Sequence, residues 1–289
     1  MRELPLPTMP LAELPAGRRR GLLPSRPSTP SPAGAATAAA APERLSVGWA
    51  RHQDEVREAQ RLRHQVFAVE MGARLSPVNG TPEGHDADLF DPYCEHLIVR
   101  CLDERSPQAG EVIGTYRVLT PQAARRVGGF YSETEFDLTR LRPLRDRMAE
   151  LGRSCVHEDH RQGGVILGLW GALGSFLVRN GLDSVIGCAS MSMRDGGHAA
   201  ASLWDRLSRT HLAPIELQVR PRLALPVDDL RRDLPVEAPP LIKGYLRAGA
   251  FICGEPAWDP DFNTADLPIL MPMAKVSGRY AKHYLGQET

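Results

Sequence analysis

Apolar residues recur at two different spacings along this chain, and the switches between them mark out its elements. A short run at Ser46–Ala50 reads as a first strand. From about Asp54 the spacing becomes helical, with Ala59, Leu62, Val66 and Val69 on one side and Arg57, Arg61 and Arg63 on the others. Gly72–Pro92 is rich in Gly, Pro, Asn and Asp and reads as a long loop, a length that signals function or mobility. Two β-rich runs, Glu95–Leu102 and Val112–Leu119, flank a charged Pro/Gly connection and predict an antiparallel hairpin; Met148–Val156 predicts a strand beside them.

Val165–Val178 is apolar almost throughout. Gly164, Gly168, Gly171 and Ser175 make a small-residue stripe and Ile166, Trp170, Leu173 and Leu177 an apolar one, so a helix buried on most sides is predicted. The run is too short to span a bilayer and ends at Arg179. Further on, Ser184–Ala189 reads as a strand, Gly197–Thr210 as a helix, Ile215–Val219 as a strand and Pro240–Ala250 as a short helix with Pro near its start. Phe251–Pro272 reads as irregular, with a last strand near Ile269.

This order predicts an α/β layer structure with a mixed, mostly antiparallel sheet flanked by helices. A chain of 289 residues with 42% hydrophobic content buries one large core, and one domain over residues 46–289 suffices. Residues 1–45 read as a disordered tail, because Met1 to Glu43 is rich in Pro, Ala, Ser and Arg and has almost no large apolar side chain after Leu23. It carries no apolar run after a basic start, so it does not read as a secretory signal. Zero formal net charge argues against a general nucleic-acid binder. Five scattered cysteines without a CxxC pair suit reduced thiols in a cytoplasmic protein, with no structural zinc expected.

Candidate chemistry begins at the turn before the buried helix. A helix start leaves backbone N–H groups unpaired and favours an anion, and Gly163 and Gly164 let that backbone approach a ligand closely. A buried helix after a plain glycine turn is the alternative. On the preceding strand stand Glu150 and Arg153. A carboxylate there suits a general base, since desolvation lifts its pKa towards the working pH; an ion pair with Arg153 is the competing reading. Residues 150 and 153 face opposite sides of a regular strand, so a bulge near Gly152 is needed to bring them together. Arg117 lies among apolar neighbours in a β run and requires a carboxylate partner: Asp88, Asp91 or a substrate.

These residues also carry a family resemblance. Arg63, Val66, Phe67 and Glu70, then Asp86-Ala-Asp88-Leu-Phe-Asp91, then Gly114-Thr-Tyr-Arg117-Val-Leu, then Glu150-Leu-Gly-Arg153, resemble in order and spacing the acyl-homoserine-lactone synthases, which share the GNAT-like acyltransferase fold. The chain more closely resembles the ornithine N-acyltransferases of ornithine-lipid synthesis, through HLIVR, GTYRVL, FYSETEFDL, ELGRSCVHEDHR, GCASM, YLRAGAFICGEPAWDPDFNTADLPIL and SGRYAKHYLG, over roughly Ser46 to Gly286.

The resemblance implies transfer of a 3-hydroxyacyl chain from acyl carrier protein to the α-amine of L-ornithine, giving lyso-ornithine lipid. It implies Glu150, Arg153 and Arg117 as catalytic residues, Arg63, Asp86, Asp88 and Asp91 as substrate-binding, and Arg161, Gly163 and Gly164 as the seat of the pantetheine arm. No cofactor beyond the carrier's phosphopantetheine is implied, and no metal. The acetyl-CoA pattern of the broad fold is met by Arg161 and Gly164 and broken by Ile166, which favours an arm delivered on a carrier protein. The resemblance also draws Glu255, Asp259, Asp261 and Asp266 towards the acceptor pocket. A lactone synthase using S-adenosylmethionine, an acyltransferase for another amino acid, and a non-catalytic lipid- or partner-binding member of the fold stay open, as does peripheral contact with the inner face of a membrane.

Other clusters point elsewhere. His157 and His160 with Glu158 and Asp159 lack a third ligand at metal-site spacing and read as a polar turn. Cys155 reads as a buried thiol rather than an acyl-cysteine nucleophile. Arg140, Arg142, Arg145 and Arg147, with Arg57 and Arg61, form a candidate landing surface for an acidic carrier protein.

Overall fold

The computed structural model of the chain describes residues 44–161 and 164–275. The predicted tail up to Glu43, Gly163 and the SGRYAKHYLG segment lie outside them. In chain order the strands are β1 (Leu45–Trp49), β2 (Glu95–Cys101), β3 (Val112–Leu119), β4 (Phe136–Asp137), β5 (Met148–Val156), β6 (Ser184–Ser192), β7 (Arg220–Pro221), β8 (Phe251–Ile252), β9 (Ala257–Asp259) and β10 (Thr264–Pro272). The helices are α1 (Gln53–His64), α2 (Pro121–Val127), α3 (Gly164–Arg179), α4 (His198–Thr210) and α5 (Pro240–Ala248).

Eight strands form one sheet in the order β1-β2-β3-β5-β6-β10-β8, with β9 also on β10, and every pairing is antiparallel except β5 with β6. Alternation of side chains along β2 feeds both faces. Leu97 and Val99 pack with Ile113, Val165 and Leu169 under α3, while Ile98 faces Ala59, Leu62 and Phe67 of the first helical segment. On the α3 side, α4 and α5 cover β6 and β10 through Met191, Leu203, Ile242 and Leu267.

The small-residue stripe on α3 has a packing use. A Cβ on Gly168 would lie 2.8 Å from Val47 of β1, and Gly114 of β3 leaves room for Val165, whose Cγ1 would stand 2.5 Å from a Cβ there. Ile166, the residue that breaks the acetyl-CoA pattern, is a core side chain at 2% exposure.

Three stretches depart from the hydrophobic pattern. The first helix continues through Gln65–Glu70 as a wider π-helical turn, which shifts the facing of successive residues. Phe67 goes into the core and Val69 is turned out, 61% exposed, although it continues the apolar spacing. Ile215–Val219, predicted as a strand, is instead a single 3-10 turn at Ile215–Leu217. It follows Pro214, and its backbone bonds are local or go to Cys253. Conversely, the segment predicted as irregular contains the nine-residue β10. Pro268 inside it accepts a bond from Cys253 N through its carbonyl, on the side away from β6, so its missing N–H leaves the β6 ladder intact. All five cysteines are free, and no helix among the described residues is long and apolar enough to cross a membrane.

Candidate active site

The site is built where the sheet splits. β5 and β6 pair only at Met148–Glu150 with Ser184–Ile186; beyond Glu150, β5 follows β3 and β6 follows β10. Glu150 is therefore the last residue before a fork. At its base Gly187 is required by space, since a Cβ there would sit 2.6 Å from the Leu151 carbonyl oxygen. Inside the fork the strand edges present backbone N–H and C=O groups that no neighbouring strand takes up. A cavity on the α3/α5 side is lined by Tyr116, Ser154, Gly187 and Tyr245, a second on the α1 side by Arg117, Tyr131, Glu150 and Arg153, and both touch Leu151, Gly152 and Cys188.

A bulge resolves the strand-parity problem. From Thr115 to Arg117 β3 advances two residues, while its partner β5 advances three, from Cys155 to Gly152. The extra residue carries its left-handed backbone at Arg153, φ 48°, rather than at Gly152. That reversal of facing sends the Arg153 side chain to the side of Glu150 and Arg117.

Arg153 does not pair with Glu150. It enters a buried ring of alternating charge that runs Arg63, Asp86, Arg153, Asp88, Arg117, Asp91 and back to Arg63. The nitrogen–oxygen distances are 3.0 Å for Arg63–Asp86, 3.2 Å for Asp86–Arg153, 3.1 Å for Arg153–Asp88, 2.6 Å for Asp88–Arg117 and 2.8 Å for Arg117–Asp91. One helix, the end of the long loop and two strands supply its members. Gln60 adds a bond to Asp91 at 2.9 Å, and Arg153 also lies over the rings of Tyr131 and Phe262, each 5.0 Å away.

Ionisation in the ring follows from its pairing. Burial pushes Asp91 and Asp88 upward, but Arg63 and Arg117 outweigh it at Asp91, and Arg117 with Arg153 at Asp88, so both are held below the ordinary aspartate range. Burial alone would lower Arg117 and Arg153; the facing carboxylates raise both instead. Arg63 and Asp86 are sealed in the interior, Asp88 and Asp91 line a cleft beside α1, and Asp88, with 17% of its side chain exposed, is the most open ring member.

Glu150 stands outside the ring and is held by neutral donors. The 3-10 turn Tyr131–Thr134 points its first N–H groups at it: Tyr131 N lies 2.6 Å from Oε2 and Ser132 N 2.6 Å from Oε1, and the Ser132 hydroxyl also donates to Oε1. Burial raises its pKa, and these donors offset only part of the rise. The turn is braced from behind, since Arg145 grips Glu133 at 2.6 and 2.7 Å and Glu133 accepts from Phe130 N. Tyr131, Ser132 and Glu133 were not singled out by spacing or charge. Their signal was the FYSETEFDL string, with a helix-capping pattern in which Glu133 turns back on the chain.

The remaining predicted residues lie apart from this centre. Arg161 donates from Nε to Val156 O at 3.1 Å and pairs with Glu70, and Gly164 opens α3 against Leu45. Of the arginine patch, Arg145 is engaged with Glu133, Arg147 with Asp183, and Arg140 donates to Ile215 O, while Arg142 is exposed. Burial pushes the Cys155 thiol far up, so it is no nucleophile. His157 Nδ1 accepts from Asp159 N within a polar turn.

A parallel pair that opens into a fork, a carboxylate at its vertex and an entry from each face of the sheet suit the meeting of an extended thioester with an amine. Comparison with known proteins agrees. Residues 62–171 match the acetyltransferase (GNAT) domain family, the segment from α1 into α3 that carries the ring and the β5 arm of the fork. The structure of FeeM, an N-acyl amino acid synthase from uncultured soil microbes, shares the fold, with a TM-score of 0.50 at 10% identity over 83% of this chain and 98% of that one. The L-ornithine N(alpha)-acyltransferase of Rhodobacter capsulatus is 37% identical over 254 residues, 85% of this chain and 96% of its own. That of Agrobacterium fabrum is 36% identical over 257 residues, 84% of this chain and 86% of its own. Likeness of that extent, over a GNAT fold, means that the chain belongs to the L-ornithine N(alpha)-acyltransferase family.

Proposed function

We propose that this protein transfers an acyl chain from a carrier-bound thioester to the α-amine of L-ornithine, with 3-hydroxyacyl acyl carrier protein as donor and lyso-ornithine lipid as product. The observation that carries this reading is the position of Glu150 at the vertex of the β5/β6 fork, where one cavity reaches Glu150 itself from the α1 side and another reaches the neighbouring Leu151 and Gly152 from the α3/α5 side. A pantetheine arm is narrow, extended and amide-bearing, so it pairs with open strand edges as an added strand does. It enters from the α3/α5 side, and the amine approaches from the side of Glu150.

At neutral pH an α-ammonium has no lone pair and must lose a proton before it attacks. Glu150, directly or through one water, takes that proton. Its raised pKa improves it as a base; its hydrogen-bond donors are neutral, and the charge of the ring's Arg117 nearby offsets only part of the rise caused by burial. Attack on the thioester carbonyl forms the C–N bond; collapse of the tetrahedral intermediate breaks the C–S bond, and the thiolate takes up a proton as it leaves. In this scheme Arg117 and Arg153 hold the walls of the reaction chamber, and the ring of aspartates fixes both guanidinium groups in place. The exposed Arg142 belongs to the surface that meets an acidic carrier protein.

The test is incubation of the purified full chain with 3-hydroxyacyl acyl carrier protein and L-ornithine, followed by mass spectrometry. Appearance of the N-acyl ornithine with stoichiometric loss of acyl carrier supports the reading. Transfer from the same thioester in the free coenzyme A form at equal kcat/KM would refute the carrier as donor. No acylated ornithine from either donor would refute the function.

A further inference from the structure

Beside the fork lies a group of side chains that the proposed mechanism does not use. Carboxylate oxygens of Glu135, Asp259 and Asp266 lie within 4.8 Å of one another. Asp266 is 1% exposed, and its Oδ1, like both carboxylate oxygens of Glu135, is shielded from solvent with no hydrogen-bond partner. Among the described residues no Lys or Arg nitrogen comes within ion-pair distance of the three. Three carboxylates brought together under cover repel one another and call for a positive charge that the described protein does not supply. Burial, then the charge of Asp266, raises Glu135, and burial likewise raises Asp259. Glu255 and Asp261, the other acidic residues of this region, are exposed and outside the cluster.

Register puts this cluster on the acceptor side. Glu150 is paired with Ile186, Ser190 with Asp266, and Ile186, Cys188 and Ser190 share one face of β6. Thr264 pairs with Asp259 two residues along from Asp266, which brings the third carboxylate to the same face. The connection through the turn is more direct. The N-terminal N–H groups of Tyr131–Thr134 grip Glu150, and Glu135 follows immediately at its C-terminal end. Cys188 lies between, its Sγ 3.5 Å from Ser132 Oγ.

We infer that Glu135, Asp259 and Asp266 form a cation subsite that takes the side-chain ammonium of the acceptor amino acid and thereby presents its α-amine to Glu150. This rests on the reading of the protein as an amino-acid N-acyltransferase. It makes the second amine of the acceptor, rather than its carbon skeleton, the feature that is selected. An uncharged side chain of the same length leaves the carboxylates unneutralised, so the site discriminates by withholding a partner.

Titration calorimetry on the full chain tests this without catalysis, using L-ornithine and L-norvaline, which has the same carbon chain without the terminal amine. The wild type is expected to bind ornithine at least tenfold more tightly than norvaline, and Asp266→Asn and Glu135→Gln each to bring the ratio towards one. Equal affinities in the wild type, a measurement that needs no variant, overturn the subsite. So does a ratio that persists in a variant that melts as the wild type does. Saturation of the cluster by Mg2+ or Mn2+ with no loss of ornithine affinity overturns it in favour of a metal site. Ornithine bound selectively but not acylated would refute the transferase reading and sustain the subsite, so the two failures are separable.

Discussion

Glu150→Gln is the substitution in which the base and its cradle are tested together. The change removes the charge and almost nothing of the shape. It also turns one carboxylate oxygen into an NH2 group. Whichever oxygen is replaced, a backbone donor 2.6 Å away, Tyr131 N or Ser132 N, then faces another donor. One buried hydrogen bond is lost and one N–H stranded, a cost of about 1–3 kcal/mol in folding stability. Loss of a positioned base slows proton removal by about 10²–10⁴-fold, or about 2.7–5.4 kcal/mol of barrier. The assay is steady-state transfer from 3-hydroxyacyl carrier protein to ornithine across pH, with melting curves in parallel. The acidic limb of the wild-type kcat/KM profile lies above pH 4.5, because burial raises this carboxyl from its ordinary value. In the variant that limb disappears and kcat falls by two orders of magnitude or more. A variant that keeps a tenth of the wild-type kcat and the same limb would show that another group takes the proton.

Other expectations follow from the surrounding structure. Arg117→Met leaves Asp88 and Asp91 short of a partner and lowers stability by about 3–5 kcal/mol in chemical denaturation; a loss under about 1 kcal/mol would refute the ring's part in the fold. Because Asp91 has a depressed folded pKa, its contribution is present above the ordinary value of 3.8 and fades as pH falls through the lower folded value, so in acid titrations Arg117→Met unfolds at higher pH than the wild type. Arg145→Ala releases Glu133 and loosens the turn that holds Glu150, so kcat drops about tenfold with KM for ornithine little changed and Arg145→Lys restores part of it; an equal loss in both variants would point to carrier docking instead. Cys155→Ala retains most of the wild-type kcat, since this thiol is buried and protonated, and a dead but folded variant would reinstate an acyl-cysteine.

Much of this was legible in the chain because the relevant signals are local. The hairpin of β2 and β3, the strand carrying Glu150 and the buried α3 follow from apolar spacing. The need of Arg117 for Asp88 or Asp91 follows from placing a charge in an apolar strand, and both are its partners. What stayed hidden depends on backbone geometry or on distant pairing. A π turn after α1 has no period of its own to read, so Val69 passed for a core residue. Pro268 disguised β10, because only the side on which its nitrogen points decides whether a proline breaks a ladder. The donors to Glu150 are backbone N–H groups, which carry no residue signature, and Glu135 meets Asp266 across well over a hundred residues of chain.

The closed ring has a consequence for how this sequence is able to change over generations. In an open chain of charges a terminal member is lost at modest cost, but a ring has no terminal member. Each of Arg63, Asp86, Arg153, Asp88, Arg117 and Asp91 has a neighbour on both sides, so any single replacement takes one of two partners from each neighbour and leaves one net charge unbalanced. An apolar core of similar volume would serve stability as well, yet every stepwise route to it crosses variants about 3–5 kcal/mol less stable than the ring. The ring is thus held by the shape of its mutational surroundings as much as by any present benefit, and it changes, if it changes at all, in compensated pairs of an arginine with an aspartate.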